Sequence, residues 1–407
     1  MLLVFGGGIS IGRLIFHTAG ETHGPALIVI VEGLPAGMGV RAEDVTLELA
    51  RRQAGYGRGD RMKIERDETE LLSGVRFGRT LGGPVALMIR NRDWVNWREK
   101  MAQDGTGSGV PALTTARPGH ADLAGVLKYG HSDVRNVLER ASARETAARV
   151  AAAALARIFL RCMGITIAGH VLSIGNVRVA DDASGSRECA ARAEKSELRM
   201  GDPRAEARAK RLIDRARKAG TSAGGLVEAI AWGVPPGLGS FVSWDRRLDA
   251  RLAYGAMSIP AVKGVEIGGG IALSALPGLM VHDEVFPGRR RGNPLQGKLI
   301  LPFHRRTNRA GGLEGGMSNG EPVVVRAAMK PIPTQSRPLR TIKIGSWKPA
   351  EAHRERSDVC AVPACSVVLE AMVGIVLADA FLEKFGGDSM REIQYNYGHY
   401  LRDIGAR

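Results

Sequence analysis

The sequence predicts an α+β protein built from two internally related halves, and three observations carry that reading. A buried strand, a Gly-x-Pro-x-Gly turn and a helix run in that order through residues 26–53, and the same order returns through residues 225–257. Two helical stretches, Ala-rich at 142–163 and strongly apolar at 367–384, suit an interior better than a surface. The glycines at positions 6, 7, 8 and 12 imitate a dinucleotide fingerprint, but only Arg13 to Thr18 separate them from Gly20. That is too short for the crossover helix of a parallel unit. At 407 residues the chain exceeds one ordinary core, which leaves two lobes or one large layered domain.

Taken in order, residues 26–32 (ALIVIVE) read as a strand, Gly33-Leu34-Pro35-Ala36-Gly37 as a turn and 41–53 as a helix; 85–89 read as a further strand. Residues 94–119 form a long loop, of the kind compact domains keep for function. Ser142 and Glu145 stand at capping-box spacing ahead of the Ala-rich helix, and Gly164 ends it. After a strand at 165–172, Asp202-Pro203 opens a basic helix that stops at Gly220. The second copy of the repeat places a strand at 225–232, the turn Gly233-Val234-Pro235-Pro236-Gly237 and a helix at 245–257. A second long loop spans 286–316, followed by a strand at 323–328 and the final apolar helix after Pro363. The expected organisation is an extension at 1–11, a single domain over 12–390 and a C-terminal tail at 391–407.

Arginine dominates the charge. Basic residues number 57 against 42 acidic ones, giving +15, and only 12 of the 57 are lysine. Arginine's planar fork matches carboxylates and phosphates, so an anionic ligand is the first expectation and nucleic acid its rival; biased coding would enrich arginine equally. Cys162, Cys189, Cys360 and Cys365 show neither Cys-x-x-Cys nor histidines at metal spacing, which reads as thiols of a reducing compartment and no metal site. Arg149, Arg157 and Arg161 interrupt one apolar stretch, and Glu370 and Asp379 the other, so no membrane span is expected. The apolar start lacks a basic n-region, which makes the cytoplasm the expected location.

Several segments suggest chemistry. His23 in Gly20-Glu21-Thr22-His23-Gly24 and His120 in Arg117-Pro118-Gly119-His120-Ala121-Asp122 are both glycine-framed, where a ligand can approach. Imidazole suits proton transfer near neutral pH, although either histidine alone reads equally as a structural one. Arg140-Ala141-Ser142-Ala143-Arg144 opens a helix, where exposed amides and two guanidinium groups attract anions. Arg52 and Arg58 flank a glycine-rich turn, with a solvated basic helix end as the plain alternative. Arg356-Ser357-Asp358 reads from spacing alone as a surface pair. Residues 311–320 carry too much glycine for packing and lead by a strand to Lys330-Pro331, a loop able to lie against a planar ring or a phosphate.

Together these blocks resemble the chorismate synthase family, from about Gly12 to the end of the last apolar helix. They fall in family order: GETHG with the GLPAG turn, RPGHAD, RASARET, AVKGVEIG at 261–268, NRAGGLEGGMSNG, MKP and RSDVCAVP. The resemblance implies a layered β-α-β sandwich and a homotetramer. It implies the 1,4-elimination of phosphate and a C6 hydrogen from 5-enolpyruvylshikimate 3-phosphate, giving chorismate with reduced FMN and no net redox change. It further implies that His23 protonates the departing phosphate, that His120 sits by the flavin's pyrimidine edge, and that Asp358 works with flavin N5 to remove the C6 proton. Arg52, Arg58, Arg117, Arg144 and Arg356 become anion contacts, the first two also a nicotinamide-phosphate site. FMN contacts fall to Arg140, Ala141, Ser142, Pro260, Ala261, Gly315, Lys330, Pro331, Ile332, Pro333, Thr334 and Arg356. Reduced flavin is expected from an external flavin reductase, with NADPH as the indirect reductant. Thr22 replaces the family's usual Ser, and Pro260 a usual Gln or Asn. The rival readings are a non-catalytic RNA- or phosphate-binding protein and a conventional flavin reductase or oxidase.

Overall fold

The computed structural model describes residues 13–59, 66–180, 186–288, 300–353 and 358–406. The expected extension at 1–11, the basic stretch with Arg289, Arg290, Arg291 and Lys298, and Arg356 lie outside the described residues.

The first half begins with β1 (Ile15–Ala19), β2 (Ala26–Glu32) and α1 (Ala42–Gln53). It continues through β3 (Thr69–Leu71), a hairpin of β4 (Val75–Arg76) and β5 (Arg79–Thr80), and β6 (Val85–Arg90). The strands pair antiparallel in the order β1-β2-β6-β3. Leu27, Val29 and Val31 alternate along β2 toward the core, as do Val85, Leu87 and Ile89 along β6, because successive side chains point to opposite faces. Three helices follow: α2 (Asp122–Tyr129), α3 (Arg135–Ala141) and α4 (Glu145–Cys162).

The second half opens with β7 (Thr166–Ile174), β8 (Val177–Arg178), α5 (Arg187–Glu194) and α6 (Pro203–Lys218). Then come β9 (Gly225–Trp232), α7 (Leu248–Met257) and β10 (Val262–Ile267). The pairs β11 (Val285–Pro287) with β12 (Phe303–Arg305) and β13 (Leu313–Glu314) with β14 (Met317–Ser318) precede β15 (Val323–Met329). A small pair, β16 (Arg340–Ile342) and β17 (Pro349–Glu351), leads to α8 (Val362–Phe385) and α9 (Met390–Ala406). The second sheet has the order β10-β15-β9-β7-β8.

The two halves match in more than order. Strands β1, β2, β6 and β3 occupy the same relative places as β7, β9, β15 and β10. The Gly-x-Pro-x-Gly turns share their left-handed glycines: φ is 85° at Gly33 and 80° at Gly233, and 87° at both Gly37 and Gly237. Each turn is tied to its hairpin by one buried hydroxyl. Thr80 Oγ1 accepts from Met38 N at 2.9 Å and donates to Pro35 O at 2.5 Å. Ser318 Oγ accepts from Leu238 N at 2.8 Å and donates to Pro235 O at 2.6 Å. The repeat read from the sequence is thus a repeated hydrogen-bond device.

Helices α4 and α8 pack on each other, with Phe159 edge-on to Phe381 at 5.6 Å; α4 also meets β1 and β2, and α8 meets β7, β9 and β15. That setting explains the alanines of α4, which let neighbouring elements approach closely on almost every side. It also explains α8, which is long and apolar enough to cross a bilayer but has 89% of its most apolar window buried inside the protein. Inside this layer Glu370 is fully buried, and its carboxylate pairs with Arg51 at 2.9 Å and with Arg157.

The structure corrects one local expectation. Ser142 and Glu145 form no capping box: Ser142 is the extended C-cap of α3, with ψ 148°, and its Oγ accepts from Arg144 N at 3.3 Å. The Glu145 carboxylate is engaged by Arg149 at 2.8 Å and by the Thr18 hydroxyl at 3.0 Å. Two helices abut here, so the serine ends one instead of starting the other. Asp202 does cap its helix, accepting from Arg204 N and Ala205 N. The tail expected at 391–407 lies mostly in α9, where Tyr397 and Tyr400 pack on Phe385.

Candidate active site

Most of the expected site residues among those described fall into two groups, at helix ends and on the loops beside them. The first surrounds the α3–α4 junction. Thr22 N and Oγ1 both donate to Glu139 O, at 3.0 and 2.9 Å, so the threonine hydroxyl anchors the His23 loop to α3. His23 Nδ1 lies 2.8 Å from Glu139 Oε1, and the Trp97 ring stacks on the imidazole with centroids 3.7 Å apart. Arg144 is buried and donates to Asp67 at 2.5 Å and to Asn91 Oδ1 at 2.8 Å. Asn91 in turn donates to Glu21 O and Gly24 O, which joins Arg144 to the His23 loop.

Arg52, also buried, donates to Ala143 O and the Thr146 hydroxyl and lies 3.6 Å from Asp67. Burial pulls its guanidinium down to about 10; Asp67 resists, and the like charges of Arg58 and Arg144 add to the fall. Three guanidinium groups thus stand close enough to repel, and an anion bound among them relieves that repulsion. Asp358 accepts from Arg58 at 2.9 Å and from Gly59 N at 2.7 Å. Arg140 reaches back to Thr18 O and Gly20 O.

The second group centres on the RPGHAD loop. Asp122 accepts from Arg117 N and Nε, both at 2.9 Å, and from His120 Nδ1 at 2.5 Å. Burial alone would raise this carboxyl, but the bonds from His120 and Arg117 outweigh it and hold Asp122 well below the usual range. Arg117 also donates to the Thr334 hydroxyl at 3.1 Å, and Lys330 Nζ donates to Gly119 O at 2.6 Å. Ala261 adopts φ 69°, unusual for a residue with a Cβ, and its carbonyl accepts from Lys330 N. Pro260 precedes it, and Ile332 O accepts from Ser222. Pro331 is exposed and Pro333 half-buried along the same run. Gly315 stands apart from both groups at the open tip of the β13–β14 hairpin, with no atom within 4 Å of where a Cβ would sit.

Four contributors escaped the sequence reading as site residues: Asp67, Asn91, Trp97 and Glu139. Glu139 adjoins the RASARET block and Trp97 lies in the long loop, so both had a positional hint. Asp67 and Asn91 had none, because their roles come only from tertiary proximity.

Buried arginines beside two histidines, each with a carboxylate at Nδ1, form a cluster with the chemistry to bind an anion and to move a proton. The family profile described as chorismate synthase matches residues 14–382. The chorismate synthase of Trichlorobacter lovleyi is 56% identical over 390 residues, 96% of this chain and 99% of that protein. That of Desulforudis audaxviator is 57% identical over 396 residues, covering 97% and 98%. A crystal structure of a chorismate synthase superposes with a TM-score of 0.77 at 42% identity, covering 97% of this chain and 99% of that one. The chain belongs to the chorismate synthase family and is a lyase.

Proposed function

We propose that the chain converts 5-enolpyruvylshikimate 3-phosphate into chorismate, in the shikimate pathway, by 1,4-elimination of phosphate and the C6 hydrogen. The observation that carries this reading is the convergence of Arg52, Arg58, Arg144, Asp358 and His23 around the α3–α4 junction. The substrate carries two carboxylates and a phosphate, and guanidinium groups supply charges that neutral pH does not remove. His23 gives its proton to a phosphate oxygen as the C–O bond breaks. Asp358, oriented by Arg58 and Gly59 N, receives the proton lost from C6. His120 and Arg117, fixed through Asp122, line the cofactor side.

The donor set fits FMN. Arg140 and Lys330 are answered by backbone carbonyls and a hydroxyl, with no carboxylate pairing with either among the described residues, so both keep charge for a phosphate. Ala141, Ser142, Pro260, Ala261, Gly315 and the 330–334 run would border the ring, with Gly315 open on its side-chain face. Held by these residues, reduced FMN would supply electron density to the allylic system with no net redox change. We read an external flavin reductase drawing on NADPH as its source and the cytoplasm as the place of action. The contacts of α4 and α8 support a layered β-α-β sandwich. Exposed Phe241, Val242, Trp244 and Tyr254 support self-association as a homotetramer.

Anaerobic incubation of the purified chain with reduced FMN and substrate tests the reading. Phosphate and chorismate appear together if it holds, and the absence of both rejects it. Salt-sensitive RNA binding without turnover favours the non-catalytic rival.

A further inference from the structure

The tightest side-chain arrangement around His23 involves two residues that the resemblance does not assign. Glu139 is buried on α3 and grips both backbone and ring: its Oε2 accepts from His23 N at 2.8 Å, and Oε1 meets His23 Nδ1 at 2.8 Å. Its own carbonyl holds Thr22 through two bonds, so this one residue fixes the backbone that leads into the histidine α-carbon as well as the ring. Trp97 covers a face of the imidazole, inclined by only 16°. The indole is itself fixed, donating from Nε1 to Asp93 at 3.0 Å, with Lys100 and Arg135 over its ring at 5.1 and 5.8 Å.

We propose that Glu139 is the positioning residue for His23, with Trp97 as the clamp that keeps the imidazole in plane. The inference rests on the reading that His23 protonates the departing phosphate. An ionised carboxylate only accepts, so Nδ1 must carry hydrogen in both protonation states of the ring. The proton that moves therefore belongs to Nε2, the nitrogen that Glu139 does not engage. The same carboxylate, gripping backbone and ring together, sets the direction in which Nε2 faces. Of the other charged groups nearby, Lys100 and Arg135 lie over the indole, while Asp93 is bonded to Trp97. Glu21 lies in the His23 loop itself.

The test uses the full-length enzyme with reduced FMN and compares Glu139→Gln, Glu139→Asp and His23→Ala with the parent. Gln keeps the size of Glu, but its amide can donate to Nδ1 and so stabilise the opposite tautomer. We expect Glu139→Gln to lower kcat by about 10²-fold or more with KM little changed, and Glu139→Asp to recover part of the loss. A second readout needs no turnover. Diethyl pyrocarbonate acylates the imidazole nitrogen that carries no hydrogen, and because a Gln amide donating to Nδ1 leaves hydrogen on Nε2, His23 labelling at a fixed pH, read by peptide mass spectrometry, should slow several-fold in Glu139→Gln. Parent-like kcat and labelling rate in Glu139→Gln, alongside an inactive His23→Ala, overturn the inference and leave the role of His23 standing. Parent-like turnover in His23→Ala instead overturns the reading beneath it.

Discussion

If the two halves are held by the same device, removing it should cost the same in each. Thr80 and Ser318 are both 3% exposed, and each makes one bond to a turn amide and one to a proline carbonyl. Thr80→Val and Ser318→Ala remove the hydroxyl with almost no change of shape and leave the amides of Met38 and Leu238 buried without that acceptor. A net hydrogen bond is worth about 1 kcal/mol and a buried unpaired amide costs about 1–3 kcal/mol, so each variant should lose about 2–4 kcal/mol locally. At about 1.4 kcal/mol per factor of ten, this is roughly a 30- to 700-fold faster exchange of the turn amides. Hydrogen exchange with mass spectrometry, on peptides covering 33–40 and 233–240, measures it directly. Protection unchanged in either variant would refute the reasoning, and a large loss in one half alone would refute the equivalence.

Other outcomes follow from the same contacts. Glu370→Ala removes one of the two carboxylates shared by Arg51 and Arg157, Glu48 being the other, and leaves Gly169 N without its acceptor; the loss should be about 1–3 kcal/mol, read as a fall in melting temperature, and parent-like melting would contradict it. Burial alone would raise Glu228, but the bonds with His170 and Arg326 hold it at about 2. Its folded value lies below the ordinary 4.5, so its stabilisation is complete above that pH and drains as pH falls toward 2. Glu228→Gln should therefore flatten the loss of melting temperature between those values, and an unchanged slope would count against the pair. His23→Ala and His120→Ala should each lower turnover about 10²- to 10⁴-fold while oligomeric size, measured by light scattering, stays the same. Near-normal turnover in either would remove that histidine from the chemistry.

Much of the fold was legible because its period matched its burial. The 26–32 and 225–232 strands stand where the apolar runs place them, since each is buried on at least one face and carries its turn with it. The Ser142 start was misread because a short helix ends there, and seven residues of α3 are too few for periodicity to reveal. The arginines and histidines were visible as residue types between glycines. Their partners were not, because Glu139, Asp67 and Asn91 acquire meaning only when β6, α3 and the α1–β3 connection meet. The excess of +15 likewise divides only in three dimensions: Arg51, Arg157 and Arg199 surround Glu370, whereas Arg52, Arg58 and Arg144 crowd together beside Asp67 and Asp358.

In the proposed elimination, flavin is needed but not consumed. The most direct measurement follows phosphate, chorismate and the flavin spectrum together in one anaerobic reaction. Phosphate and chorismate should rise one for one through many turnovers while the flavin remains reduced. Flavin oxidation in step with substrate loss, or phosphate released without chorismate, would contradict the account.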